Sequence, residues 1–345
     1  MMLNFRKRKK PVGWFGLSYR TRKTVLGTSQ SRAGYGFVWR MGRGSEHRMS
    51  GPARQRTLCS EVEFSGVGLH SGSQCRITLR PAGVDEGIVF RRTDLQIAEN
   101  IVLASPENVV AADHGTTLAN ASGARIATVE HLMAALALCS VDNVLIDVDG
   151  PEIPILDGSS AQFVSEIASA GCAELPAQRR PVAIYAPMRV GEGDRFIEFT
   201  PGPRRLKIEI AFENCLIGAQ ALSLNLDDDH DLAKLASART FCRLEEVEDL
   251  RKAGLIRGGT LANSIVVDGD RVLNDGPLRD PLEFVLHKAL DLIGDLYLLG
   301  APINGSIRAV RPGHAINTRG ACALLREAGI LAAAEPDNAA IRATA

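Results

Sequence analysis

From about Gln55 the pattern of apolar and polar positions turns strand-like, and over Gln74 to Arg80 it alternates with the period of a strand with one buried face. Thr57 to Phe64, Gln74 to Arg80 and Gly87 to Arg92 are read as strands, the first two joined by Gly66-Val-Gly-Leu-His-Ser-Gly72. Those glycines do not open a helix, as a dinucleotide-binding fingerprint must, because the residues after them still alternate. The segment is therefore a connection between antiparallel strands, with His70 at its tip. After a polar stretch through His114 the period lengthens to that of a helix over Val129 to Cys139, with Thr128 expected as its N-cap. Asn143 to Asp149 is a short apolar strand, and the turn-rich run Gly150 to Gly158 leads into a helix ending near Ala170. Glu174 to Arg180, rich in proline and charge, is read as an interdomain linker.

Beyond it, Val182 to Ala186, Arg195 to Thr200 and Leu206 to Phe212 are strand candidates. Helices follow near Asp231 to Leu235 and Leu244 to Ala253, then a strand at Ser264 to Val267. A long helix from about Pro281 to Leu299 and a strand from Asn304 to Val310 close the pattern. Each half thus reads as strands, helices and a histidine-bearing helix followed by a short strand, which suggests duplication at the level of pattern.

The long helix carries the most chemistry. At about 100° per residue it stacks His287, Asp291 and Asp295 on one side, with Lys288 at the margin. Leu286, Ala289, Leu290, Ile293, Leu296 and Tyr297 form an ordinary core face opposite. A histidine and an aspartate one turn apart are more often a hydrogen-bonded surface pair than two ligands of one metal ion; the spacing is necessary for a shared ion but not sufficient. Gly294 beside the stripe leaves room for a close approach, and Phe284 and Leu298 frame it with apolar surface, so it reads as the wall of a cleft. In the earlier helix, Glu130 in the first turn is accounted for by the helix dipole, whereas His131 is not. His131 together with His287 and Asp291 would make two imidazoles and a carboxylate, a set that leaves a fourth position open as in a catalytic zinc site.

Formal charge is zero, but it is unevenly placed: residues 1 to 48 hold 12 of the 40 basic residues and one acidic residue, Glu46, leaving 28 basic and 39 acidic residues for the rest. An acidic body argues against nucleic-acid binding. The basic, aperiodic segment 1–54 is expected to be disordered; it fits a transit peptide, a nucleic-acid or membrane-surface arm, or sequence upstream of a true start at Met49, which is preferred. Residues 336–345 are expected to form a flexible tail. No window approaches the roughly 18 apolar residues of a membrane span, so membrane contact is at most peripheral. Seven scattered cysteines with no CxxC fit buried free thiols in a reducing compartment.

Thr128-Val-Glu-His-Leu132, Asp149-Gly-Pro-Glu-Ile-Pro-Ile-Leu-Asp-Gly158, Ala238-Arg-Thr-Phe241, Phe284 to Asp295 and Gly313-His314-Ala resemble, in order, the motifs of the bacterial UDP-3-O-acyl-N-acetylglucosamine deacetylase family of lipid A biosynthesis. The likeness runs from about Arg56 to Gly329. It implies an α+β fold of two similar domains, 55–177 and 178–335, with helices packed between sheets and the active site in the cleft between them. It implies one catalytic zinc ion held by His131, His287 and Asp291, Glu130 as general base, and His314 as the acid that stabilises the oxyanion and protonates the leaving amine. Asp295 is expected to hold His314 charged, Thr240 to meet the oxyanion, and Lys288 to meet a substrate diphosphate.

Phe241, His70 and Gly259 match positions expected near the substrate. An acyl chain needs an apolar passage, for which Leu244, Val247, Leu255, Ile256, Gly258, Gly259, Leu261 and Val266 are candidates; they serve as well for ordinary core. Arg243 stands where the family often has an aromatic residue, which changes the expected shape of that passage. No chemistry is assigned to His47, His114 or His230. The expected protein is a cytoplasmic monomer acting on a UDP-linked acylated amino sugar. A zinc peptidase is disfavoured, since no HExxH or HxxEH occurs.

Overall fold

The computed structural model describes residues 53–329. The expectations for the rest of the basic extension and for the 336–345 tail lie outside the described residues. Two five-stranded sheets dominate. The first has the spatial order Val62–Val67, Gln74–Pro81, Val144–Val148, Ile88–Arg92, Ile101–Leu103, and the second Met188–Glu192, Arg195–Thr200, Ser306–Val310, Arg205–Phe212, Gly218–Asn225. In both, the third and fourth strands pair in parallel and every other neighbouring pair is antiparallel. Order and direction are the same in the two halves, as a duplicated pattern requires. The alternation seen in sequence becomes alternation of burial: in Gln74–Pro81 the side chains of Cys75, Ile77 and Leu79 point inward.

Each central strand is preceded by a helix. Helix α1 (Glu130–Leu138) precedes Val144–Val148; α2 (Ala161–Ala170), α3 (Asp229–Ser237) and α4 (Leu244–Lys252) follow; α5 (Glu283–Tyr297) precedes Ser306–Val310; and α6 (His314–Glu327) comes last. Helices α1 and α5 pack on each other, and their buried residues join those of both sheets in one continuous core. Helix α1 is buried on all sides and α5 on nearly all, the pattern of helices enclosed between layers.

Gly294 marks where the two helices touch. A Cβ there would overlap the carbonyl oxygen of Glu130 and crowd the backbone nitrogen of Ala134, so the room left by this glycine is filled by α1. Gly294→Ala is expected to push the helices apart and lower stability by about 1–3 kcal/mol through overpacking. A thermal midpoint equal to that of the unaltered protein would contradict this.

Several boundaries differ from the sequence reading. Thr128 is not the N-cap. Val129 holds that place without a side-chain cap, while Thr128 sits at φ 59° and its hydroxyl donates to Glu152 Oε1 at 3.0 Å. The buried carboxylate captures the hydroxyl that would otherwise have capped the helix. The expected linker overlaps a strand, Cys172–Gln178, paired antiparallel with Arg54–Leu58; on so narrow a ribbon Pro176 breaks no longer ladder. The expected strand Thr57–Phe64 is two, Arg54–Leu58 and Val62–Val67, paired to different partners. The strands Met188–Glu192 and Gly218–Asn225 and helix α6 are additions. Of the seven cysteines, all free, only Cys75 and Cys139 are buried, and burial pushes both thiols up to about 12.

Candidate active site

Helix α1 begins with Glu130 and His131, both 4 % exposed. Helix α5 presents His287, Asp291 and Asp295 at successive turns, and α6 opens with His314. Because Gly294 lets α1 and α5 meet closely, residues about 160 positions apart converge. His287 Nε2 lies 3.3 Å from Asp291 Oδ1, and His131 Nε2 lies 3.6 Å from the same oxygen. The two imidazoles stand edge to face with ring centroids 5.0 Å apart.

These atoms fit a metal ion. Ligands about 2.0–2.1 Å from a tetrahedral zinc stand about 3.3–3.4 Å from one another, close to the observed separations. Asp291 Oδ1 is buried with no hydrogen-bond partner, while Oδ2 accepts from Lys288 Nζ at 2.9 Å. His287 Nδ1 donates to the Ala238 carbonyl at 3.1 Å, which fixes the tautomer and turns the Nε2 lone pair inward. Burial first, and then the neighbouring His131 and Lys288, hold His287 down to about 3 despite Asp291, so the ring is neutral and able to bind. Burial alone would raise the Asp291 pKa, but His287 and Lys288 hold the carboxyl well below its usual range.

The remaining groups fall into two hydrogen-bonded sets, one around Glu130 and one around His314. Burial raises the Glu130 carboxyl above its ordinary value, against the attraction of His314 and His131. Its Oε2 accepts from the Thr116 N–H at 2.9 Å, and no other hydrogen bond among the described residues engages it. His314 Nδ1 donates to Asp295 Oδ2 at 2.8 Å. Burial and a helix N-terminus both disfavour an imidazolium here, yet Asp295, then Asp291 and Glu130, prevail and push it to about 9. Asn317, one turn along α6, donates to the same Asp295 oxygen at 2.8 Å, and Thr116 Oγ1 donates to Oδ1 at 2.5 Å.

All of this opens into a cavity of about 1910 Å³. Glu130, His131, His287, Asp291, His314, Thr240, Phe241, Lys288, His70 and Gly259 line it; Asp295, fully buried, stands behind His314. Thr240, a residue of the cavity lining, is held by its backbone, donating to Gly158 and accepting from Ile265. Phe241 stacks edge to face on Phe284, and its ring centroid lies 5.5 Å from Nζ of Lys288, a half-buried residue that also lines the cavity.

Of the proposed apolar passage, Leu244, Val247, Ile256, Gly259, Leu261 and Val266 line the cavity. Leu255 and Gly258 do not; Gly258 packs its backbone against Gly68 and Leu69 in the His70 connection. Arg243 turns to Glu245 and Glu246, at 2.6 and 2.8 Å. His114 also lines the cavity, and its carbonyl accepts from His70 Nε2 at 3.1 Å; His230 donates its backbone N–H to Asp228. His47 lies outside the described residues.

Three contributors were given no role in the sequence reading, although Glu152 stands in one of its motifs. Thr116 and Asn317 hold Asp295. Glu152, 2 % exposed, accepts from the backbones of His70 and Ser71 and from the Thr128 hydroxyl, tying the His70 connection to the entry of α1. A helix starting at His314 would have placed Asn317 beside it; nothing local marks Thr116.

The profile of the UDP-3-O-acyl N-acetylglycosamine deacetylase family matches residues 55–326. Proteins named UDP-3-O-acyl-N-acetylglucosamine deacetylase are similar to the chain. The one from Phenylobacterium zucineum (strain HLK1) is 47 % identical over 264 residues, 76 % of this chain and 90 % of that protein. The one from Myxococcus xanthus (strain DK1622) is 46 % identical over 76 % of this chain and 83 % of its own length. The one from Legionella pneumophila (strain Corby) is 45 % identical over 79 % and 89 %.

Proposed function

The chain belongs to the UDP-3-O-acyl N-acetylglycosamine deacetylase family, and from that premise we propose that it is a zinc metallohydrolase of lipid A biosynthesis. It removes the acetyl group from the 2-acetamido nitrogen of UDP-3-O-(3-hydroxyacyl)-N-acetylglucosamine, giving acetate and the free amine. The observation that carries the reading is the convergence of His131 Nε2, His287 Nε2 and the unpartnered Asp291 Oδ1 beside Glu130 and the Asp295–His314 pair. One zinc ion held by those three residues would supply a Lewis acid and bring the pKa of water down to about 7.

The chain's own residues do the rest. Glu130, raised by burial, accepts the proton lost by the attacking water as oxygen bonds to the acetyl carbon. Thr240 faces the cavity from a fixed backbone and is assigned to the oxyanion. As the carbon–nitrogen bond breaks, His314 gives its Nε2 proton to the departing nitrogen while Asp295 retains the Nδ1–H. Lys288 is assigned to a substrate phosphate, with Phe241, His70 and Gly259 as neighbouring contacts, and the apolar wall from Leu244 to Val266 to the acyl chain. Two domains are proposed, meeting near residues 177 and 178. No helix among the described residues is long and apolar enough to cross a membrane. A cytoplasmic monomer with no nucleic-acid partner and at most peripheral membrane contact remains the proposal.

Metal analysis of the purified protein, paired with acetate release from the UDP-sugar, tests the reading. One equivalent of zinc and acetate release are expected; zinc-loaded protein that releases none would end it. The pH profile adds a signed prediction. Activity requires Glu130 deprotonated and His314 protonated, so kcat/KM should fall on the acid side above the ordinary carboxylate range and on the basic side near 9. A basic limb at the ordinary imidazole value would contradict the assignment of His314.

A further inference from the structure

We infer that Thr116 is a positioning residue that ties the proton-accepting side of the site to the proton-donating side. The inference rests on the reading of Glu130 as base and His314 as acid. Thr116 is fully buried and is not among the residues lining the cavity, so substrate does not reach it. Its carbonyl accepts from Val129 N–H at 3.3 Å, at the entry of α1. Its own N–H donates to Glu130 Oε2 at 2.9 Å, and its hydroxyl donates to Asp295 Oδ1 at 2.5 Å.

The hydroxyl also stands 3.3 Å from His314 Nδ1. A carboxylate can only accept, so the hydroxyl hydrogen points to Asp295 and the lone pairs of Oγ1 remain for the Nδ1–H of His314, which Asp295 Oδ2 also accepts at 2.8 Å. The imidazole is thereby held by two acceptors on one edge, and Nε2 is the nitrogen left for the cavity. One residue thus fixes the carboxylate of the base by its backbone and the imidazole of the acid by its side chain. Substrate binding touches neither contact, which separates turnover from affinity.

Thr116→Val keeps the shape and the N–H to Glu130 and removes only the hydroxyl. In zinc-loaded protein kcat should fall roughly 10- to 100-fold, the worth of one buried hydrogen bond lost from the reacting geometry, with KM and zinc content unchanged. Thr116→Ser restores the hydroxyl and should recover kcat to within about threefold of the unaltered enzyme. If Thr116→Val does not fold, Thr116→Cys, of similar size with only a weak donor, should show the same loss of kcat at constant KM.

Glu130→Gln and His314→Gln run beside these. If both are inactive and the folded valine (or cysteine) variant keeps kcat within about twofold, the bridge is refuted and the acid–base reading stands. A serine variant as slow as the valine variant refutes it too. If Glu130→Gln or His314→Gln turns over normally, the underlying reading itself fails.

Discussion

Replacing His287 by alanine is expected to remove metal and activity together. The side chain is 2 % exposed and anchored through Nδ1 to the Ala238 carbonyl, so Nε2 has one orientation, toward Asp291 Oδ1. Burial holds the ring neutral, with its pKa near 3, which is the form that can donate a lone pair. Without it only His131 and Asp291 remain, and two ligands do not close a site that needs three. The loss of several kcal/mol of transition-state stabilisation corresponds to a fall in kcat of roughly 10³-fold or more. Zinc content, measured on the same preparation, should drop well below one equivalent. A variant that retains stoichiometric zinc and near-normal turnover would remove His287 from the ligand set.

How far this site was legible follows from the range of each interaction. His287, Asp291 and Asp295 stand one turn apart on a single helix, so their shared face is fixed by the 3.6-residue period and needs no tertiary knowledge. The partners of that face are another matter. Thr116 meets Asp295 across 179 positions and His314 across 198, and no local pattern encodes a contact at that separation. Glu152 is similar: it stands in a turn-rich motif, and its role emerges only when the backbones of His70 and Ser71 come to its carboxylate.

The same distinction explains the fold. Alternation marked most strands of both sheets, but the pairing of Arg54–Leu58 with Cys172–Gln178 is long-range, and a proline-containing strand whose partner is out of sight reads as a linker. Helix α6 was missed because Pro312 and Gly313 signal a turn and the residues after His314 are of mixed polarity, buried against strands from the same half. Gly294 was recognised as an opening, yet only the packed structure shows that α1 fills it.

The second large effect expected is at Glu130, and it differs in kind. Glu130 adjoins the proposed ligand His131 in sequence, but its carboxylate is not among the three converging atoms; it turns to Thr116 instead. Glu130→Ala should therefore retain about one equivalent of zinc, the stoichiometry of a single site, and lose turnover by roughly 10²–10⁴-fold, the range of a general base. Alanine also leaves the buried Thr116 N–H without its acceptor, at a cost of about 1–3 kcal/mol, so the thermal midpoint should fall as well. Glu130→Gln separates the two effects. Its amide oxygen can still accept from Thr116, which should restore the midpoint, but it cannot take a proton from water, so kcat should stay as low as in the alanine variant. Zinc lost from the glutamine variant would mean that Glu130 supports the metal; normal turnover would mean that another group takes the proton.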